Sequence, residues 1–121
     1  MQEIGIESKL VEDIRNHKKN IEVRLGKPRF LKIKEGDILS IREDLYLDGK
    51  IIDSFNDSIR IKVTQILYFE TFSEMLDSID YKATVPSAKS KKQALDKYRE
   101  FYSAEDEAEY GVIAMFFEIT E

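Results

Sequence analysis

Residues 112–119 read VIAMFFEI, apolar at every position but Glu118. Side chains along a strand alternate between faces, so a run without alternation has to be covered on both sides. Eight residues suit a strand better than a buried helix, which runs to ten or more. The segment is therefore expected as a central or barrel strand. A chain of 121 residues that must wrap both of its faces has room for one domain, spanning 1–121.

The rest of the chain supplies the covering layers. Residues 8–16 set Leu10, Val11 and Ile14 on one side of a short amphipathic helix, closed by Asn16 and His17, since Asn tolerates left-handed backbone. Residues 20–25 alternate strictly: Ile21, Val23 and Leu25 on one face, Asn20, Glu22 and Arg24 on the other, the pattern of a half-buried strand. Gly36-Asp37 introduces a strand over 37–43, and 58–69 is the longest strand candidate, rich in β-branched residues. Between them, Asp48-Gly49 reads either as a hairpin turn or as part of a loop insertion. Residues 71–78 form a helix capped by Thr71, with Glu74 completing a capping box. A second capped helix runs from Ser90 to Tyr102, its apolar side carrying Ala94, Leu95, Tyr98 and Phe101 or Tyr102. An acidic turn over 104–108 precedes Gly111.

There is no cysteine, which excludes a disulfide framework, a thiolate nucleophile and thiolate-held metal. The N-terminal residues carry charges throughout and lack the apolar core of a signal peptide. No apolar run reaches the roughly 20 residues needed to span a bilayer. A soluble, cytoplasmic protein without membrane contact is expected. The 19 basic and 24 acidic residues leave a net charge of −5, unfavourable for indiscriminate binding of a phosphate backbone. The charges are segregated, however. Residues 15–34 hold eight Lys or Arg against one acid, Glu22, whereas 100–121 hold seven acids and no base. The contiguous acids over 105–109 lack the glycine-punctuated spacing of a calcium loop, so no metal or other cofactor is assigned.

The informative stretch is Lys19-Asn20-Ile21-Glu22-Val23-Arg24. Glu22 and Arg24, two apart on a strand, project from one face, and Lys19 at the strand entrance can swing over it. Arg24 suits bidentate capture of a phosphate; Lys19 can hold an oxyanion or act as nucleophile or base; Glu22 can accept from an amine or relay a proton. The same spacing also fits an ion-pair ladder on a solvated face. Lys18 adds charge beside the cluster, and Tyr110, next to Gly111 at a strand entrance, is the best candidate for stacking on a base. His17, the sole histidine, is read as closing the preceding helix.

HKKNIEVR resembles the G-x-K-x-x-E-x-R signature of the ASCH family, with Lys19, Glu22 and Arg24 on its charged positions and His17 replacing the glycine. The likeness continues through Gly36-Asp37, YFETFSEML, QALDKYREFYS and EYGVIAMFFEI, from Ser8 to Ile119. It implies an α+β, PUA-like fold: a small β-barrel of mostly antiparallel strands with two to four flanking helices and a cleft holding the signature. It also implies an RNA or a nucleotide-like small molecule as ligand, contacted by Lys18, Lys19, Glu22, Arg24 and Tyr110. Some ASCH-like proteins resemble amidohydrolases acting on acetylated cytidine, with threonine where Glu22 stands and a catalytic glutamate that aligns near Gln93, Glu100 being the nearest glutamate. Others are associated with ribonuclease activity, for which Lys19 and Glu22 would be the catalytic pair. The expectation is binding, with a small hydrolase as the alternative. A partner-binding module using the acidic C-terminal region is the third reading, and oligomeric state is left open.

Overall fold

The computed structural model describes residues 1–120; Glu121, counted above with the C-terminal acids, lies outside the described residues. Five strands and six helices follow one another as β1 (Gln2–Glu7), α1 (Ser8–Arg15), β2 (Ile21–Leu25), α2 (Pro28–Leu31), β3 (Ile38–Leu47), β4 (Lys50–Phe69), α3 (Phe72–Ser78), α4 (Tyr81–Thr84), α5 (Lys91–Phe101), α6 (Ala104–Tyr110) and β5 (Val112–Thr120). The fold is α+β, with one mixed sheet in the order β1-β3-β4-β5-β2. Only β1 and β3 run parallel; the other neighbours are antiparallel.

The sheet separates two cores. Ile113, Met115 and Phe117 of β5 enter the first, together with Ile4, Val11, Ile14, Ile41 and Ile61. Val112 and Ala114 enter the second, with Phe72, Met75, Ala94 and Tyr98 of the C-terminal helices. The unalternating run of β5 is thus buried on both faces, as its composition requires. The Tyr98, Phe72 and Tyr102 rings stack in the second core, with centroids 4.7 and 5.3 Å from Phe72. Thr71, Ser90 and Ser103 cap α3, α5 and α6, each accepting from the backbone N–H three residues on.

Asp48 and Gly49 both take positive φ, 52° and 76°, the conformation of a two-residue primed turn. The segment is therefore a hairpin, and β4 extends back to Lys50. Two further expectations are corrected. The helices number six, because the sequence gives weak periodicity over four-residue pieces such as α2 and α4, which are single turns opened by a proline or an Asp cap. The barrel is not closed: β1 and β2 are the two ends of an open sheet. Side chains cross where a backbone ladder would close it. Arg24 on β2 donates to the Gly5 carbonyl on β1 at 2.7 Å, and Arg29 in α2 donates to the Glu3 carbonyl at 2.6 Å. Both carbonyls lie on the free edge of β1, whose pairing would otherwise be left open. No helix among the described residues is long and apolar enough to cross a membrane.

Candidate functional site

Since Ile21, Val23 and Leu25 enter the second core, alternation sends Glu22 and Arg24 to the opposite face. There they stand across from Met115 and Ile113 of β5, members of the first core. Lys19 reaches the outer edge of β2. Asn20 O and Gly26 N bond the backbone on the β5 side, so the intervening Ile21 carbonyl points away from β5. The Lys19 ammonium donates to that carbonyl at 2.5 Å and to Thr84 O of α4 at 3.0 Å. Its third contact is Glu22 Oε1 at 3.1 Å. Three donors meet three acceptors, and Lys19 is only 3% exposed.

Glu22, 7% exposed, is held from the other side by Arg24, whose Nε and Nη2 donate to Oε2 at 2.9 and 2.7 Å. Burial opposes its ionisation, but the Lys19 and Arg24 charges and hydrogen bonds outweigh burial and hold the carboxyl below its usual range. Burial likewise works against the Arg24 charge, and Glu22 more than compensates, raising its pKa. The signature is therefore neither a wetted ion-pair ladder nor a loose cluster. It is a buried, mutually satisfied network that ties β2 to α4 on one side and to β1 on the other.

Arg24 alone retains contact with solvent, its side chain being 20% exposed. Nη1 has no hydrogen-bond partner among the described residues. The guanidinium lies 5.5 Å from the Phe30 ring centroid, and Arg29 lies 5.1 Å from the same ring. Tyr46 and Tyr102 are close enough to exchange electrostatic influence with Arg24. An aromatic-lined guanidinium with one free edge can donate to a phosphate oxygen or a base carbonyl.

Several of these contacts lay beyond sequence reasoning. Gly5 is one: a Cβ there would stand 2.6 Å from Asp44 Oδ2. Arg42 grips Asp44 with two bonds of 2.7 and 3.0 Å, and Ser54 Oγ donates to Asp44 at 2.9 Å. A glycine inside a strand signals close approach, so this position was findable; the partners were not. Glu107 is another. Within the acidic run it is buried, accepting from Phe72 N at the start of α3 at 2.8 Å and pairing with Arg99 at 3.0 Å. Glu107 is thus a structural acid inside a segment that reads in sequence only as an acidic turn.

The remaining candidates are dispersed. Lys18 is exposed. Tyr110 is half-buried beside Lys27, whose ammonium is 5.6 Å from its ring, and a hydrogen bond with Glu109 raises its pKa. The acids of α6 thus border the one stacking candidate. Gln93 and Glu100 line a solvent-open hollow of about 220 Å³ with Ser87, Asp96 and Lys97; among the described residues neither bonds Lys19 or Glu22. No group of three or more His, Asp or Glu able to hold a metal ion occurs among them. His17 is exposed with φ 60°, so the left-handed residue after α1 is His17 and not Asn16. Glycine takes that backbone freely, which gives the family's usual residue here a conformational reason.

The model of one family, the ASCH domain, matches residues 4–121. The chain belongs to the ASCH domain family. Two solved structures resemble this ASCH chain over nearly its full length. The crystal structure of hypothetical protein PH0355 shares 31% identity and a TM-score of 0.83, covering 98% of each chain. The solution structure of protein PF0455 from Pyrococcus furiosus shares 31% identity and a TM-score of 0.76, covering 99% of this chain and 97% of the other. No curated protein matches the chain.

Proposed function

We propose that this ASCH domain binds RNA or a nucleotide-like small molecule at the mouth between β1 and β2, with Arg24 as the contacting residue. Lys19 and Glu22 position it. The observation that carries this reading is the Arg24 guanidinium itself: fixed through Nε and Nη2, stacked near Phe30, and free at Nη1. An arginine held in place loses little further entropy on binding. Lys18, exposed on the neighbouring turn, adds a mobile cation for a phosphate.

A hydrolytic role for Lys19 as nucleophile or base draws less support, because all three of its N–H groups are engaged by Ile21, Thr84 and Glu22. Glu22, with both oxygens accepting, has no proton to deliver at neutral pH. Titration of short labelled single-stranded RNA and of nucleotides, at several salt concentrations, tests the proposal. Arg24→Ala is expected to weaken binding by about tenfold or more, and Lys18→Ala to lower the salt slope by about one unit. Binding that ignores Arg24→Ala, or turnover of an acylated nucleoside that vanishes in Glu22→Gln, would replace this reading with another.

A further inference from the structure

β1 pairs with β3 only up to Asp44, and β5 pairs with β4 only down to Arg60. Beyond those points Leu45–Leu47 of β3 and 50–59 of β4 have no third strand among the described residues. A two-stranded ribbon in water is marginal by itself. This one also exposes Leu45, Tyr46, Leu47, Ile51, Ile52 and Phe55, each between 40% and 60%. Glu43 stands across from Phe55, and Leu45 and Leu47 follow on the same face by alternation. Two residues before Glu43, Ile41 enters the first core from that face. At Glu43 the face is still covered, by Ser8 of α1 bonding it and by Arg15 reaching Ser58. Past that contact it runs on bare.

We infer that this arm is the contact through which two copies of the chain form a two-fold dimer. The area suits such a contact. Leu45, Leu47 and Phe55 on this face expose on the order of 300 Å² of apolar surface, the small end of association surfaces and suited to a concentration-dependent pair, while Tyr46 and Ile51 face the other side of the ribbon. The charges suit it too. On the same face Lys50 lies opposite Leu47 and Asp53 opposite Leu45, one cation and one anion flanking the apolar stripe. A two-fold axis sets each copy's Lys50 against the other's Asp53, the self-complementary arrangement an isologous interface requires. Asp57 is held by Arg60 at 2.8 Å, and Asp48 sits in the turn at the tip of the arm. An RNA occupant would meet an apolar, slightly acidic surface with little to offer a phosphate.

Sedimentation equilibrium on the full chain, from low to high micromolar, is expected to give twice the monomer mass. Leu47→Asp combined with Phe55→Asp raises the dimer dissociation constant at least tenfold and leaves the far-ultraviolet dichroism and thermal midpoint of the monomer unchanged. If that variant misfolds, a charge swap decides: Lys50→Asp and Asp53→Lys each weaken the dimer, and together they restore it. The cysteine-free background also lets Ile52→Cys report proximity, by spin labels that broaden one another. A wild type that stays monomeric at high micromolar concentration, as it would if another protein were the occupant, overturns the inference. So does a dimer indifferent to all these substitutions, or a monomer whose RNA affinity falls in the arm variants.

Discussion

The two ends of the sheet treat their difficult groups in opposite ways. At the β2 end, Lys19 and Glu22 are buried, Arg24 is largely covered, and every buried donor or acceptor has a partner. At the β3–β4 tip, apolar side chains stand in solvent. Buried charge is tolerable only when matched within its own chain, since an unmatched ion loses its hydration with nothing in return. Exposed hydrocarbon costs far less per residue and can wait for an external surface. The charged end is therefore complete within one chain, and the apolar end is left to solvent.

The largest expected effect sharpens this contrast. Lys19→Met leaves Glu22 Oε1 and the carbonyls of Ile21 and Thr84 without their donor, and should lower unfolding free energy by roughly 3–5 kcal/mol in urea titrations. At concentrations low enough to keep the chain monomeric, Leu47→Ala in the arm should change it by under about 0.5 kcal/mol, as for other exposed positions. Equal effects would break the comparison.

A smaller effect appears with pH. The Glu22 carboxyl is held below its ordinary value of 4.5, despite burial, by Lys19 and Arg24. A depressed carboxyl contributes stability that is present above that ordinary value and lost as pH falls through its folded pKa. The stability gap between wild type and Glu22→Gln should therefore be constant near neutrality and close progressively below pH 4.5. A gap that widened on acidification would mean that the carboxylate is not the favoured form. Asp57, drawn down to about 2 chiefly by its hydrogen bond from Arg60, remains ionised through most of that window and does not confuse the comparison. A modest gain is expected at the turn that delivers Lys19. His17→Gly relieves a left-handed non-glycine backbone and should stabilise by about 0.5–1 kcal/mol, read as a rise in the urea midpoint. A loss instead would show that the imidazole has a role in the turn.

Local pattern carried much of the architecture. The alternation of 20–25 foretold β2, and the caps at Thr71 and Ser90 foretold α3 and α5, because these signals depend only on neighbouring residues. The charged trio was also legible as a unit, from strand spacing and from the family signature. Its burial was not, because the carbonyls that engage Lys19 and Arg24 belong to Thr84 and Gly5, 65 and 19 residues away. β1 is not among the strands expected from the sequence, although Ile4 and Ile6 alternate with Glu3, Gly5 and Glu7; the run is short, carries a glycine, and gains a strand's hydrogen bonds only by pairing in parallel with β3.

The sequence by itself determined the strands β2 and β5 and the helices α1, α3 and α5, that β5 is covered on both faces, and that Lys19, Glu22 and Arg24 share one place in the fold. Tertiary structure alone decided that the sheet stays open, that side chains cross the gap, and that the β3–β4 ribbon projects bare. The physical reason is that periodicity records which face of an element avoids water. It does not record which distant backbone edge, if any, comes near enough to bond.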